Sequence, residues 1–188
     1  KDPRGIELLR KLAELSKWQS RPSPAKNQPS GDVARGRGMA YVKYELVRTY
    51  VGAVAEVEVN RATGAIRVTK FYVAHDCGQV INPDGLRNQI EGNVMQTVSR
   101  TLIEDLTFDR SMVTSLDWES YPIITFPDVP IVEISLIDRP TEKPWGGGEP
   151  SAAVVPAAVS NAVFDAIGVR LREIPYRPET VKAALRSI

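Results

Sequence analysis

The chain has 188 residues, of which 43% are hydrophobic, so it can bury one substantial core or two small ones. Its 24 Lys and Arg residues nearly balance its 23 Asp and Glu residues, and the net charge of +1 gives no electrostatic basis for binding nucleic acid. No apolar run approaches the roughly 20 residues that a membrane span needs. With one cysteine, Cys77, and one histidine, His75, the chain cannot form an internal disulfide or build a zinc site from cysteine and histidine ligands.

The N-terminal part of the chain is predicted to be a helix followed by a linker. Residues 3–17 form the helix, and Asp2 is its candidate N-cap. The apolar stripe of this helix consists of Ile6, Leu9, Leu12 and Ala13. Residues 19–38 are rich in Pro, Ser, Gly, Arg and Lys and hold almost no apolar side chains, which is typical of a linker or a surface segment. We therefore divide the chain into residues 1–38 and a domain of residues 39–188.

The domain combines strand patterns with helix patterns. Apolar residues at every second position from Val51 to Val59 predict a strand with one buried face, and the loop ending at Gly64 predicts a hairpin. One helix is predicted over residues 86–104, and another over residues 151–167 with Gly168 as its C-cap. The remaining predicted elements are strands at 41–45, 66–73, 112–113, 123–125 and 131–137 and a helix at 178–186. The predicted fold class is α+β, with a mixed or antiparallel sheet and packed helices.

The helix at 86–104 carries three amide side chains on one face. Gln89, Asn93 and Gln96 recur at helical spacing, close to the small residue Gly92, while an apolar stripe runs along the opposite face. Such a row of amides is either an ordinary solvated face or a surface that hydrogen-bonds a polar cofactor. The pattern alone leaves both interpretations open.

A glycine loop precedes the helix at 151–167. Residues 145–151 read Trp-Gly-Gly-Gly-Glu-Pro-Ser, so Glu149 follows three glycines, which tolerate positive φ and close backbone approach. Pro150 suits the first position of a helix. Glu149 either complements the dipole of that helix or is presented to a ligand.

Three motifs occur in the order of a known family. They are Asp-Cys-Gly-Gln-Val-Ile-Asn-Pro-Asp-Gly at residues 76–85, Gln-Ile-Glu-Gly at 89–92 and Gly-Gly-Glu-Pro at 147–150. Together they resemble the C-terminal third of the molybdenum-binding large subunit of the xanthine dehydrogenase/aldehyde oxidase family, in the branch of the isoquinoline 1-oxidoreductase β-subunit. The fold that this resemblance implies is the second molybdenum-cofactor-binding domain of that family.

The resemblance implies a molybdenum hydroxylase that oxidises an aldehyde or an N-heterocycle with water as the oxygen source. Glu149 matches the general base of the family, and Gln89 matches the glutamine that hydrogen-bonds the pterin. Gln96 and Gly148 are further candidate cofactor contacts. The implied cofactor is molybdopterin, in its cytosine dinucleotide form, whose own dithiolene holds the metal. No residue of this chain is therefore predicted as a metal ligand, and His75, Asp76 and Cys77 are interpreted as a strand-end residue, a turn residue and a small buried side chain.

The chain lacks the upstream loops that seat the molybdenum centre in complete large subunits. We therefore expect the remainder of the large subunit to complete the site and an iron–sulfur subunit to accept electrons. On its own, the chain is expected to be folded but inactive, as a fragment or as one piece of a split subunit. The alternative hypothesis is a non-catalytic truncated domain, or an assembly or interaction module, that retains the fold. Cytoplasm and periplasm both stay open as locations.

Overall fold

The computed structural model describes residues 2–26 and 31–186 and contains a four-stranded sheet in the order β1-β2-β3-β4. In chain order the elements are α1 (Pro3–Leu15), β1 (Val33–Lys43), β2 (Tyr50–Asn60), β3 (Ile66–Asp76), α2 (Pro83–Leu102), β4 (Ile131–Leu136), α3 (Val155–Ile167) and α4 (Pro178–Leu185). The first three strands pair antiparallel, and β4 joins β3 in parallel after the crossover through α2. The predicted α+β class with a mixed sheet is confirmed.

Both faces of the sheet are covered. The predicted buried face of β2, from Val51 to Val59, lies in the main core with the apolar stripes of α2 and α3. On the opposite face, Val54 belongs to a smaller cluster with Leu8 and Leu12 of α1. The first half of β2, from Tyr50 to Ala55, is therefore apolar and buried on both sides, as expected for a strand between two layers of helices. Within the described residues, no helix is both long enough and apolar enough to cross a membrane.

Strand β1 corrects the predicted linker of residues 19–38. It begins at Val33, and its Arg-Gly-Arg-Gly run pairs with β2. The two glycines face α3 so closely that a Cβ on Gly36 or Gly38 would lie 2.1 Å from backbone atoms of Ala162. The alternate arginines pair with acidic side chains of β2, Arg37 with Glu56 at 3.1 Å. A segment whose composition predicts a linker is therefore a strand, and its glycines allow helix α3 to pack closely against it.

The stripe predicted on α1 is only partly correct. Asp2 caps the helix as expected, because its Oδ1 accepts hydrogen bonds from the amides of Arg4 and Gly5 at 3.2 and 3.4 Å. The buried residues are Gly5, Leu8 and Leu12. The other predicted members of the stripe, Ile6, Leu9 and Ala13, are half-buried. The stripe is rotated because Leu8 and Leu12 are the side chains that reach Gly52 of β2.

Asp76, at the end of β3, fixes α1 to the sheet. Its fully buried carboxylate accepts hydrogen bonds from Arg4 Nη2 at 2.6 Å and from Arg139 Nε at 2.6 Å, and the amide of Gly78 donates to it at 3.0 Å. Burial alone would raise the pKa of Asp76, but these three donors outweigh it and hold the pKa below the ordinary 3.8. Asp76 thus serves the turn, as predicted, and also carries a buried ion pair.

We expect Asp76→Asn to lower the free energy of unfolding by about 3 kcal/mol at pH 7, since it leaves two arginines facing a neutral group. The folded-state pKa lies below the unfolded value, so the carboxylate's contribution is present above pH 3.8 and is lost as the pH falls through the folded pKa. The difference in the free energy of unfolding between variant and wild type, measured by urea denaturation, should therefore narrow below pH 3.8. A difference in the free energy of unfolding that stays constant down to pH 2 would contradict this interpretation.

The observed ends of helices α2 and α3 differ from the predicted ones by a few residues. Helix α2 begins at Pro83, three residues before the predicted start, with Asn82 as its N-cap. Helix α3 begins at Val155 after a short 3₁₀ turn, and Gly168 ends it with φ 73° as predicted. The strands predicted at 112–113 and 123–125 are wrong: the first is a single bridge between Phe108 and Val113, and the second is not a strand.

Candidate active site

Three segments that lie far apart in the sequence meet at one end of the sheet. They are the β1–β2 turn (residues 44–49), the first turns of α2, and the glycine loop (residues 145–151). The glycine loop is held by hydrogen bonds from Trp145 N to Cys77 O at 2.8 Å and from Thr49 Oγ1 to Gly146 O at 3.0 Å. Its position is therefore set by the sheet and not by local sequence alone.

Two amides of α2 bind the glycine loop directly. Asn93 Nδ2 donates to the carbonyl oxygen of Gly148 at 2.9 Å, and Gln89 Nε2 donates to the same oxygen at 3.4 Å. Asn93 is buried, whereas Gln89 and Gln96 are exposed. The predicted residues Gln89, Gly148 and Glu149 are thus brought together. Gln96 lies two turns further along the same face, about 10 Å away along the helix axis.

Glu149 is exposed at the edge of a groove of about 390 Å³. The hydroxyl of Tyr44 donates a hydrogen bond to Glu149 Oε1. Glu45, Arg48 and Gly146 also line the groove. Sequence reasoning missed Tyr44 and Arg48, because only the register of the β1–β2 hairpin brings their turn beside a loop about a hundred residues away.

The conformation of the glycine loop corrects two expectations. None of its glycines lies at positive φ; within the described residues, positive φ among glycines occurs at Gly31, Gly64, Gly78 and Gly168. The close approach is at Gly147, where a Cβ would lie 2.4 Å from Leu86 Cδ1. Pro150 precedes the 3₁₀ turn that leads into α3, so it does not occupy the first position of that helix.

A buried polar layer lies beneath the loop. His75 is fully buried, and neither of its ring nitrogens has a hydrogen-bond partner within the described residues. Burial lowers the pKa of His75 to about 4, although the nearby Asp76 opposes this shift, so the ring is neutral at pH 7. Burial likewise raises the pKa of the Cys77 thiol. Both residues are the strand-end and buried side chains that the sequence predicted.

The described residues offer no ready-made metal centre. No three of the His, Cys, Asp and Glu side chains in residues 2–26 and 31–186 converge on a point that a metal ion could occupy. The polar groups that face solvent at the site are the amides of Gln89 and Gln96, the backbone at Gly148 and the carboxylate of Glu149.

Comparison with known proteins assigns the fold. Residues 47–130 match the family model of the molybdopterin cofactor-binding domain, a range that includes Gln89 and Gln96. The chain is 43% identical over 98% of its length to a nicotinate dehydrogenase chain of Pseudomonas putida, of which it covers 16%. It is 30% identical over 94% of its length to the β-subunit of isoquinoline 1-oxidoreductase from Brevundimonas diminuta, of which it covers 21%.

A solved structure gives the same assignment. Quinoline 2-oxidoreductase from Pseudomonas putida 86 superposes with a TM-score of 0.67 and 33% identity, over 73% of this chain and 19% of that chain. The chain thus spans about a fifth of the length of these relatives. On these matches, the chain belongs to the xanthine dehydrogenase/aldehyde oxidase family, as a homologue of the molybdopterin-binding part of its large subunits.

Proposed function

We propose that this chain supplies one side of the active site of a molybdenum hydroxylase, which oxidises an aldehyde or an N-heterocycle with water as the oxygen source. The observation that carries the proposal is the convergence of the Glu149 carboxylate and the amide face of α2 on the glycine loop. In this proposal Glu149 is the general base, and Gln89, Gln96 and Gly148 contact the pterin. The family resemblance favours the cytosine dinucleotide form of the cofactor.

The amide face of α2 fits a flat polar ligand. Gln89, Gly92 and Gln96 share one exposed side of the helix, and a Cβ on Gly92 would have no heavy atom within 4 Å. Gly92 therefore leaves a shallow notch between the two amides, in which a ligand can approach the helix backbone. Each amide both donates and accepts hydrogen bonds, as the pterin edge requires.

Glu149 has the exposure and the freedom that a general base requires. Tyr44 uses only Oε1, and no hydrogen bond within the described residues uses Oε2. The bound cofactor supplies the redox chemistry of the hydroxylation. This chain contributes a carboxylate that takes the proton released as water-derived oxygen is transferred to the substrate. Because Asn93 and Gln89 hold the carbonyl of Gly148, they orient the next residue, Glu149.

We expect Gly92→Leu to separate folding from cofactor binding. The free energy of unfolding should rise by roughly 0.5–1 kcal/mol, since a helix interior prefers Leu to Gly and the added Cβ would have no heavy atom within 4 Å. Molybdenum and pterin per mole of assembled enzyme should fall at least about tenfold, which corresponds to a steric cost of about 1.4 kcal/mol. Both quantities are measurable on the same preparation, by urea denaturation and by metal and pterin analysis.

The control is Glu91→Leu, which places the same side chain on a neighbouring face of α2. It should leave molybdenum content at the wild-type level. Full molybdenum and pterin content in Gly92→Leu would remove the amide face of α2 from the proposal.

In this proposal, residues from outside this chain complete the active site. One segment of the chain has the properties of a surface that binds another protein. The acidic arm, residues 104–128, connects α2 to β4 and holds six acidic residues against one arginine, a net charge of −5. Eight of the large hydrophobic side chains exposed in the described residues also lie here, among them Trp118 at 75% and Phe126 at 96% exposure. Such apolar exposure beside charge is typical of an interface.

We propose that the acidic arm docks on the remainder of the large subunit, through an apolar surface edged by Lys and Arg. Two observations support this occupant. The relatives are about five times as long as this chain, and the arm carries a net charge of −5, which Lys and Arg side chains on a partner would complement. An iron–sulfur subunit would accept the electrons of the assembled enzyme.

A further inference from the structure

The β1–β2 turn is tied to the glycine loop at several points. Arg48 Nη1 pairs with Glu45 Oε2 at 2.5 Å, and its guanidinium lies 5.6 Å from the ring centre of Trp145. Thr49 Oγ1 donates to the carbonyl of Gly146. The turn and the loop therefore form one unit, in which the hydroxyl of Tyr44 reaches Glu149.

The turn holds an unusual backbone conformation to achieve this. Glu45 and Leu46 both lie in the left-handed region, at φ 49° and 65°. Residues other than Gly, Asn and Asp adopt that region rarely, and the cost persists only where surrounding contacts impose it. Leu46 itself is 78% exposed, so burial of its side chain is not what the conformation secures. The conformation of the turn instead places Tyr44 beside the glycine loop.

We propose that Tyr44 is a positioning residue for the general base, holding the Glu149 carboxylate by one oxygen so that the other faces the reacting groups. This inference rests on the proposed function of Glu149. A carboxylate accepts several hydrogen bonds, so donation to Oε1 leaves Oε2 free to take a proton. The hydrogen bond to Glu149 raises the pKa of Tyr44 above its ordinary 10, with burial adding to the shift, so the phenol stays protonated and donates throughout the neutral range.

The chain contains two reference tyrosines, one for titration and one for activity. Tyr121 donates to Glu104 Oε2 at 2.7 Å, which makes a second tyrosine–glutamate pair of the same chemistry in the acidic arm, away from the groove. The pKa of Tyr121 is raised by the same kind of hydrogen bond. Because the acidic arm is itself proposed to dock, the control for activity is Tyr50, whose hydroxyl donates to Asp2 Oδ2 at 2.9 Å at the start of α1. Removing the hydroxyl of Tyr44 or of Tyr50 costs the protein one hydrogen bond to a carboxylate, so a difference in kcat between these two variants reports the position of Tyr44 and not the loss of a phenol.

The first test compares Tyr44→Phe with Tyr50→Phe in the assembled enzyme. Tyr44→Phe should lower kcat by about ten- to a hundredfold and leave KM and molybdenum content unchanged, because it misorients the base without touching the substrate. Tyr50→Phe should retain wild-type kcat. Wild-type kcat in Tyr44→Phe would overturn the inference, and a rise in KM with unchanged kcat would do so as well, because it would make Tyr44 a substrate contact.

The second test needs no turnover. In the 188-residue chain labelled with ¹³Cζ-tyrosine, Glu149→Ala removes the acceptor of the Tyr44 hydrogen bond and should bring the pKa of Tyr44 back toward 10, while the pKa of Tyr121 stays raised. An unchanged Tyr44 titration would show that the pair does not form. The two proposals fail separately: retained turnover in Glu149→Gln defeats the proposed function, whereas an inactive Glu149→Gln beside a fully active Tyr44→Phe defeats only the role of Tyr44.

Discussion

Glu149→Gln is expected to lower kcat of the assembled enzyme by about 10²–10⁴-fold while molybdenum and pterin content stay at the wild-type level. The amide keeps the size of the side chain and can still accept the hydrogen bond of Tyr44, but it cannot take up a proton. The carbonyl of Gly148 stays fixed by Asn93 and Gln89, so the loop should keep its geometry. Steady-state kinetics and metal analysis on one preparation measure both effects.

The matched control for this variant is Glu58→Gln, which makes the same charge change on β2, outside the groove and outside the acidic arm. It should leave kcat unchanged. If Glu149→Gln turned over substrate like wild type, Glu149 would have no part in the mechanism. If it lost molybdenum as well as activity, Glu149 would be a binding residue and not the base.

Gly38→Ala is expected to have the largest effect on stability. The added Cβ would lie 2.1 Å from Ala162 N and 2.3 Å from Ala158 O, both of which are backbone atoms of α3. No rotamer relieves such contacts, so the helix must move away from β1. We expect a loss of at least about 3 kcal/mol, a large share of the roughly 5–15 kcal/mol that holds a typical domain. Urea denaturation measures it.

Gly92→Ala is the control, because the same added methyl group at Gly92 meets no heavy atom within 4 Å. It should stabilise the chain slightly, as Ala does in place of Gly in a helix. If the free energy of unfolding of Gly38→Ala lay within about 1 kcal/mol of the wild-type value, α3 and β1 would not pack this closely. Since α3 follows the glycine loop in the chain, any displacement of α3 also affects the position of Glu149.

Periodicity predicts the elements that bury one clear face. The alternation from Val51 to Val59 marks β2, and Ile90, Val94 and Val98 mark the buried side of α2, all three fully buried. Gly168 ends α3 because the left-handed conformation there suits a residue without a side chain. These features are local, so the sequence shows them directly.

Features that depend on a distant partner are hidden from periodicity. The Arg-Gly-Arg-Gly run of β1 lacks apolar side chains because α3 itself covers its glycines. Asp76 reads as a turn residue, since nothing local reveals that Arg4 and Arg139 converge on it. The same holds for Tyr44 and Glu149, which are 105 residues apart. Motif order points to the candidate site, and the roles of its residues stay predictions.

A diffraction experiment across the molybdenum K edge, on crystals of the assembled enzyme, tests the central claim most directly. The anomalous difference map locates the metal without any assumption about the site. We predict a single molybdenum peak over the groove, in reach of the Glu149 carboxylate and next to the face that carries Gln89, Gly92 and Gln96. A fully occupied peak remote from this groove would contradict the proposed function.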